Sequence, residues 1–243
     1  ALGYFISYFF RNANAIIEQD LVRELGLSAS SLGLLTSAYF ISFAAFQLPL
    51  GLLLDRYGTR RTESTLLVFA ALGAVVFSSA DSLAGLVIGR LFIGLGVSAC
   101  LMGAFKAYVV WFPSTRLPLI NGLQMVAGGL GALSATTPLQ FALGHTDWRG
   151  IFVILGIVTL AAATFLFMVH PEKPQTPQES GTLREQLEGL RSVFQSRALW
   201  QIAPFTVLTQ AVQLAVLGLW AKPWLRDVAG LEPEAAANVL FWM

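Results

Sequence analysis

Long apolar runs separated by short polar stretches dominate this chain. A helix rises 1.5 Å per residue, so about 20 mostly apolar residues cross the hydrocarbon core of a bilayer. By that ruler the runs predict seven spanning helices, near 1–21, 29–54, 62–80, 83–110, 116–142, 148–170 and 198–221, and the start of an eighth near 236–243. Several exceed 20 residues, which implies tilt or ends that project into water. The runs do not alternate in ten-residue segments, as the strands of a membrane barrel do. The expected fold is therefore all-α and polytopic. Gly and Ala crowd the runs, as in "GLGVSAC" and "AGGLGALSA". In lipid such residues let helices approach closely.

The connections are short except one. Residues 171–197 are polar and open with three prolines. Their first part reads as a linker. Leu183, Leu187, Leu190 and Phe194 then follow at helical spacing, which suits either an amphipathic helix on the membrane surface or a solvated linker helix. Lys and Arg are unevenly shared between the two sides. Eight fall in loops on the side of "DRYGTRR" and the linker, four in the opposite loops. The positive-inside rule makes the richer side cytoplasmic.

Composition agrees with a membrane protein: 56% of the 243 residues are hydrophobic and 12% charged, against about 25% charged in soluble domains. Mean hydropathy is +0.68. A net charge of +1 offers no field for nucleic acid. The single cysteine, Cys100, permits no internal disulfide. The chain opens at Ala1 with neither an initiator Met nor a basic signal-peptide region, so its natural start is expected upstream.

The stretch "GLLLDRYGTRRTE", residues 51–63, places five charges between two apolar runs. Asp55 at a helix end can accept from a neighbouring helix N-terminus or pair with an arginine. Gly51 leaves room for a neighbouring helix, Gly58 supplies a turn, and Arg60 and Arg61 can meet lipid phosphates. The pattern Gly51-x-x-x-Asp55-Arg56-x-Gly58-x-Arg60-Arg61 resembles the signature loop of the major facilitator superfamily. "GRLFIGLGVSA", with Arg90, Gly94 and Gly96, resembles that family's span-four motif. "WFP" at 111–113 and "DWRGIF" at 147–152 resemble its flanking loops. The resemblance covers nearly the whole chain. It implies a six-helix half of 3+3 inverted repeats at 1–170, a cytoplasmic linker at 171–197, and the start of a second half at 198–243. A full transporter of this kind has about twelve spans, so the sequence looks cut near Met243.

The resemblance also implies alternating access in a cytoplasmic membrane, with substrate bound near the midplane between the halves. Buried ionisable groups there are costly and mark function. Arg11 stands near the middle of span one, with Tyr8 and Asn14 on the same face at i−3 and i+3. "YFFRN" at 8–12 is similar to span one of the organic-anion and organophosphate branches, where an arginine grips the anionic group. A guanidinium suits that task; snorkelling to the interface is the competing reading. Organophosphate antiporters carry a second arginine in span seven, where this chain has Gln213. That departure favours a monocarboxylate or another weakly anionic solute. Lys106 is either a second cation for the solute or a snorkelling residue. Gln124, with Asn121, Met125, Tyr39, Ser42 and Gln47, lines the cavity or ties helices together. Arg90 is read as a tie to backbone carbonyls.

No complete span carries Asp or Glu in its middle, so a coupling proton or a counter-anion is left open. Two separated histidines and one cysteine provide neither metal ligands nor a nucleophile–base pair, so no enzyme, metal or cofactor is expected. The expected partners are a small organic solute and membrane lipids. A non-transporting sensor on the same fold is the alternative.

Overall fold

The computed structural model describes residues 1–169, 171, 192–216 and 220–242. The described residues form helices and short connections, with no strand. Helices α1 (Leu2–Leu25), α2 (Ala29–Ser78), α3 (Leu83–Val97) and α4 (Ala99–Trp111) are followed by a 3₁₀ turn at Ser114–Arg116. Then come α5 (Leu117–Ser134), α6 (Thr137–Leu143) and α7 (Trp148–Val169). Beyond the linker lie α8 (Arg197–Ala215), α9 (Ala221–Asp227) and α10 (Pro233–Trp242). The amphipathic stretch expected from Leu183 and His170 both fall outside the described residues, apart from the end at Phe194.

Among the described residues four stretches are long and apolar enough to cross a membrane: Ala29–Ser78, Leu83–Trp111, Ser114–Leu143 and Trp148–Val169. They cover expected spans two to six. At 50 residues, α2 would run about 75 Å if straight, far more than one bilayer. It is two spans joined at Gly58, whose φ of 80° and ψ of 168° favour glycine. Across that turn the Thr62 hydroxyl donates to the Leu53 carbonyl at 3.1 Å. Helices α1 and α8 are not among the four. In α1 the reason is Arg11, Asn12, Asn14, Glu18 and Asp20, and much of its polar content is turned inward: Ser7, Asn14 and Glu18 are buried.

Two expected spans are each broken once. Span four divides at Ser98, whose hydroxyl donates back to the Leu95 carbonyl at 2.7 Å. Span five divides at Thr136, where φ −111° and ψ −115° interrupt the helix. Side-chain bonding to the local backbone is what lets Ser and Thr compete with helical geometry.

The half after Gly58 lies against α3 and α7, while α1 lies along α5. At the span-four motif the packing needs glycine: a methyl at Gly94 would overlap the Tyr39 carbonyl and Ser42 hydroxyl, and one at Gly96 the Ala70 backbone. The core between these helices is aromatic. Phe77 meets Phe152 in a tilted arrangement at 4.3 Å and Trp148 edge-on at 5.6 Å. Phe10 from α1 completes it, 6.0 Å from Phe152.

The two ends of the bundle differ. At one end are Gly58, Asp55, Arg60 and the end of α7, with Arg60 over the Phe167 ring at 5.2 Å. At the other are Gly26, Ser82 and Trp148. There Arg149 binds Glu24 at 2.8 Å and Asp81 at 3.0 Å, and donates to the carbonyls of Ser78 and Ala80. The Trp148 indole donates to Glu24 at 2.6 Å. This clasp joins α1, the α2–α3 connection and α7.

Candidate functional site

Arg11 is half-buried on the α1 face turned towards α2. Its guanidinium carbon lies 4.6 Å from the Tyr8 ring centroid, 5.4 Å from Phe43 and 5.7 Å from Phe40. Tyr8 comes from the preceding turn of α1; the two phenylalanines come from one face of α2. Among the described residues no carboxylate pairs with Arg11, and its buried Nε has no hydrogen-bond partner. The rings offset part of the cost of burying the charge, but they accept no in-plane hydrogen bond. The Tyr8 hydroxyl accepts from Tyr4 at 3.2 Å, and the two rings meet edge-on.

Asn14, one turn further on, donates to the Thr36 hydroxyl at 3.4 Å and leaves its buried carbonyl oxygen without a partner. Of the candidates read from the sequence, then, Tyr8 and Arg11 touch, and Asn14 follows them along α1.

Three other candidates are placed elsewhere. Lys106 donates to Asp55 Oδ1 at 2.6 Å and to the Leu54 carbonyl at 2.7 Å. It is engaged with the signature loop and not with Arg11. Gln124 is buried between α4 and α5, accepting from Tyr108 at 2.7 Å and donating to the Cys100 carbonyl at 3.2 Å. Gln213 is exposed on α8, a helix with no buried residue. Tyr39 donates to the Ser7 carbonyl at 3.4 Å, and Gln47 to the Ser98 carbonyl at 3.3 Å, both as ties between helices.

The signature loop departs from expectation in two ways. Asp55 finds its partner in a lysine of the same half. No described residue lies within 4 Å of a methyl placed at Gly51, so the neighbouring helix expected there is not among the described residues. Arg56 lies 5.5 Å from the ring of Tyr57. Arg90 is 1% exposed. It donates to the Phe10 carbonyl at 2.8 Å, and its guanidinium lies over Phe77 and Phe152 at 4.8 and 5.5 Å. This is the backbone tie expected of it.

Some polar groups were not singled out by the sequence reading. Glu63 is buried at 7% exposure, facing a cavity of about 340 Å³ between α1, α2, α4 and α7. Its place beside the charged turn disguised it as one more loop charge. Lys222, one of the four cations assigned with Arg23, Arg149 and Arg226 to the opposite loops, is 1% exposed. Only tertiary packing reveals either. A second cavity of about 280 Å³ lies between α1, α5, α6 and α10, lined by Asn12, Ile16, Leu133, Thr136 and Leu240 among others.

The whole chain, residues 1–243, matches the sequence model of the Major Facilitator Superfamily. It is 25% identical to a protein of Cupriavidus necator named as a probable sulfoacetate transporter, over 97% of this chain and 58% of that protein. It is 30% identical to a hexuronate transporter of Bacillus subtilis, over 98% of this chain and 58% of the relative. A hexuronate transporter of Escherichia coli is 28% identical over 73% of this chain and 42% of its own length. The chain thus spans about half the length of these relatives. In fold it is similar to a bacterial homologue of the human lysosomal transporter Spinster in an inward-facing, occupied conformation. That match has a TM-score of 0.75 and 20% identity, covering 97% of this chain and 54% of that one. A D-xylose–proton symporter gives a TM-score of 0.73 at 16% identity, covering 99% and 63%. Signature loop, span-four motif, helical fold and the family match over residues 1–243 agree, and the chain belongs to the Major Facilitator Superfamily.

Proposed function

We propose that this chain forms the first half, and part of the second, of a secondary transporter that moves a small organic anion across the cytoplasmic membrane by alternating access. The observation that carries the anion assignment is Arg11. It is a half-buried guanidinium boxed by three rings, with an unsatisfied Nε and no carboxylate partner among the described residues. An anionic group would complete its hydrogen bonds, and a planar fork of donors suits a carboxylate or sulfonate. Tyr8 fixes the guanidinium plane, and Asn14 offers a further polar contact. Relatives named for sulfoacetate and hexuronate, both organic anions, support the same class.

The loop-charge count supports a cytoplasmic location for the Gly58 end and the linker. With that orientation α9 and α10 reach α1 and α6 towards the outer end, whereas α8 has no buried residue.

Equilibrium binding of sulfoacetate, galacturonate, lactate and neutral galactose to the natural protein tests the assignment. Arg11→Lys keeps the charge and loses the fork, so it should weaken the bound anion about tenfold. Arg11→Gln should weaken it further and leave neutral galactose unaffected. Equal anion affinity in Arg11→Gln and the parent would falsify the role.

A further inference from the structure

Lys222 sits on α9, in the segment expected to open the second half, yet it is among the most buried side chains described, 1% exposed. Its ammonium donates to the Ile16 carbonyl of α1 at 2.9 Å and to Gln140 Oε1 of α6 at 2.8 Å. Arg226, four residues on and on the same face of α9, donates to Glu18 Oε2 at 3.1 Å. Glu18 is itself buried, 6% exposed, and lies two residues from Ile16. Beside this pair the Thr137 hydroxyl of α6 donates to Asn238 of α10 at 2.9 Å, and Ala236 and Ala237 are fully buried. Ile16 is also a wall of the cavity of about 280 Å³, to which α10 contributes Leu240. The preceding helix α8 has no buried residue.

The chemistry of the contact is informative. A fully desolvated ammonium is expensive unless its hydrogen bonds are made. Here its two hydrogen-bond acceptors are neutral, so docking compensates the lost hydration without overwhelming it. Undocking returns the charge to water. An apolar side chain in the same place would hold the helices together with no such return. A buried lysine facing neutral acceptors is therefore a contact built to release.

We propose that Lys222, supported by the Arg226–Glu18 pair, is a releasable latch that closes the outer end of the solute pathway by fastening α9 to α1 and α6. The proposal rests on the alternating-access reading. Docked, the latch holds in place α10, whose Leu240 lines the cavity with Asn12 and Ile16. Released, it lets α9 and α10 swing away and opens that cavity outward.

The test uses the natural transporter in intact cells and in inverted vesicles, with Leu133→Cys in the cavity wall as reporter and Cys100→Ser removing the native thiol. The measurement is the rate of modification by an impermeant thiol reagent from each side. Lys222→Met and Gln140→Leu should each speed modification from outside about tenfold, equivalent to about 1.4 kcal/mol, and slow it from inside. Gln140→Leu keeps the lysine, so it decides the matter if Lys222→Met does not fold. Unchanged rates from both sides in a folded variant, in a parent that labels from both, overturn the latch alone. A parent that labels from one side only, with or without an organic anion present, overturns the alternating-access reading and the latch with it.

Discussion

Single cations in this chain do different work because their surroundings differ. Arg11 has rings and the Tyr39 hydroxyl but no carboxylate among the described residues, and its Nε is unpaired, Arg90 has rings and a backbone carbonyl, and Lys106 has a carboxylate. Sequence alone identified Arg11 as a lone cation near mid-span. It left Lys106 undecided, because its partner Asp55 is 51 residues away in the chain. The Asp55–Lys106 pair is part-exposed, at 45% and 29% of the side chains. Such pairs contribute roughly 0.2–1 kcal/mol to stability, so its importance should appear in conformational exchange. Asp55→Ala and Lys106→Met should each slow transport, with solute affinity nearly unchanged and thermal stability lowered only slightly. The double variant should be no slower than the worse single one, since both remove the same contact. Transport at the parent rate in Asp55→Ala would remove the loop from the gating account.

At the scale of elements, the spans were legible because apolar runs of membrane length have few other uses. The turn at Gly58 was legible because charge and glycine interrupt such a run. The breaks at Ser98 and Thr136 were not, since one hydroxyl in an apolar run looks like any other small residue until its backbone bond is seen. "DWRGIF" was noticed as a stretch, but its clasp needs Glu24 and Asp81 from distant parts of the chain. In that clasp the Trp148 indole, and then Arg149, hold the Glu24 carboxyl below its usual 4.5. A depressed native value means the stabilisation is present above the ordinary value and fades as pH falls through the native one. Thermal unfolding followed below pH 4.5 should therefore show a steeper acid loss in the parent than in Glu24→Gln. The pair is exposed enough that the difference should be small. Identical acid limbs in the two proteins would mean the clasp does not bear on stability.

For the whole molecule, the all-α architecture followed from the sequence, but the asymmetry between its ends did not. Nothing in the pattern of "WAKPWLRD" distinguishes a solvated loop from a helix whose lysine is wholly buried against α1 and α6. That distinction depends on where α9 docks, and docking is a property of the assembled helices. The aromatic box at Arg11 is likewise assembled from two helices, with only Tyr8 readable from local spacing. Under the proposed function, these features would make a pathway with an anion-binding group on α1 and a closure towards the Trp148 end. The most direct test is flux: uptake of labelled sulfoacetate, galacturonate or lactate into proteoliposomes holding the natural protein, parent against Arg11→Gln. The account predicts saturable uptake of at least one of these anions by the parent, lost in Arg11→Gln while the variant stays folded. Saturable binding with no flux in the parent would contradict it and point to a sensor, as would equal anion flux with and without Arg11 for the site.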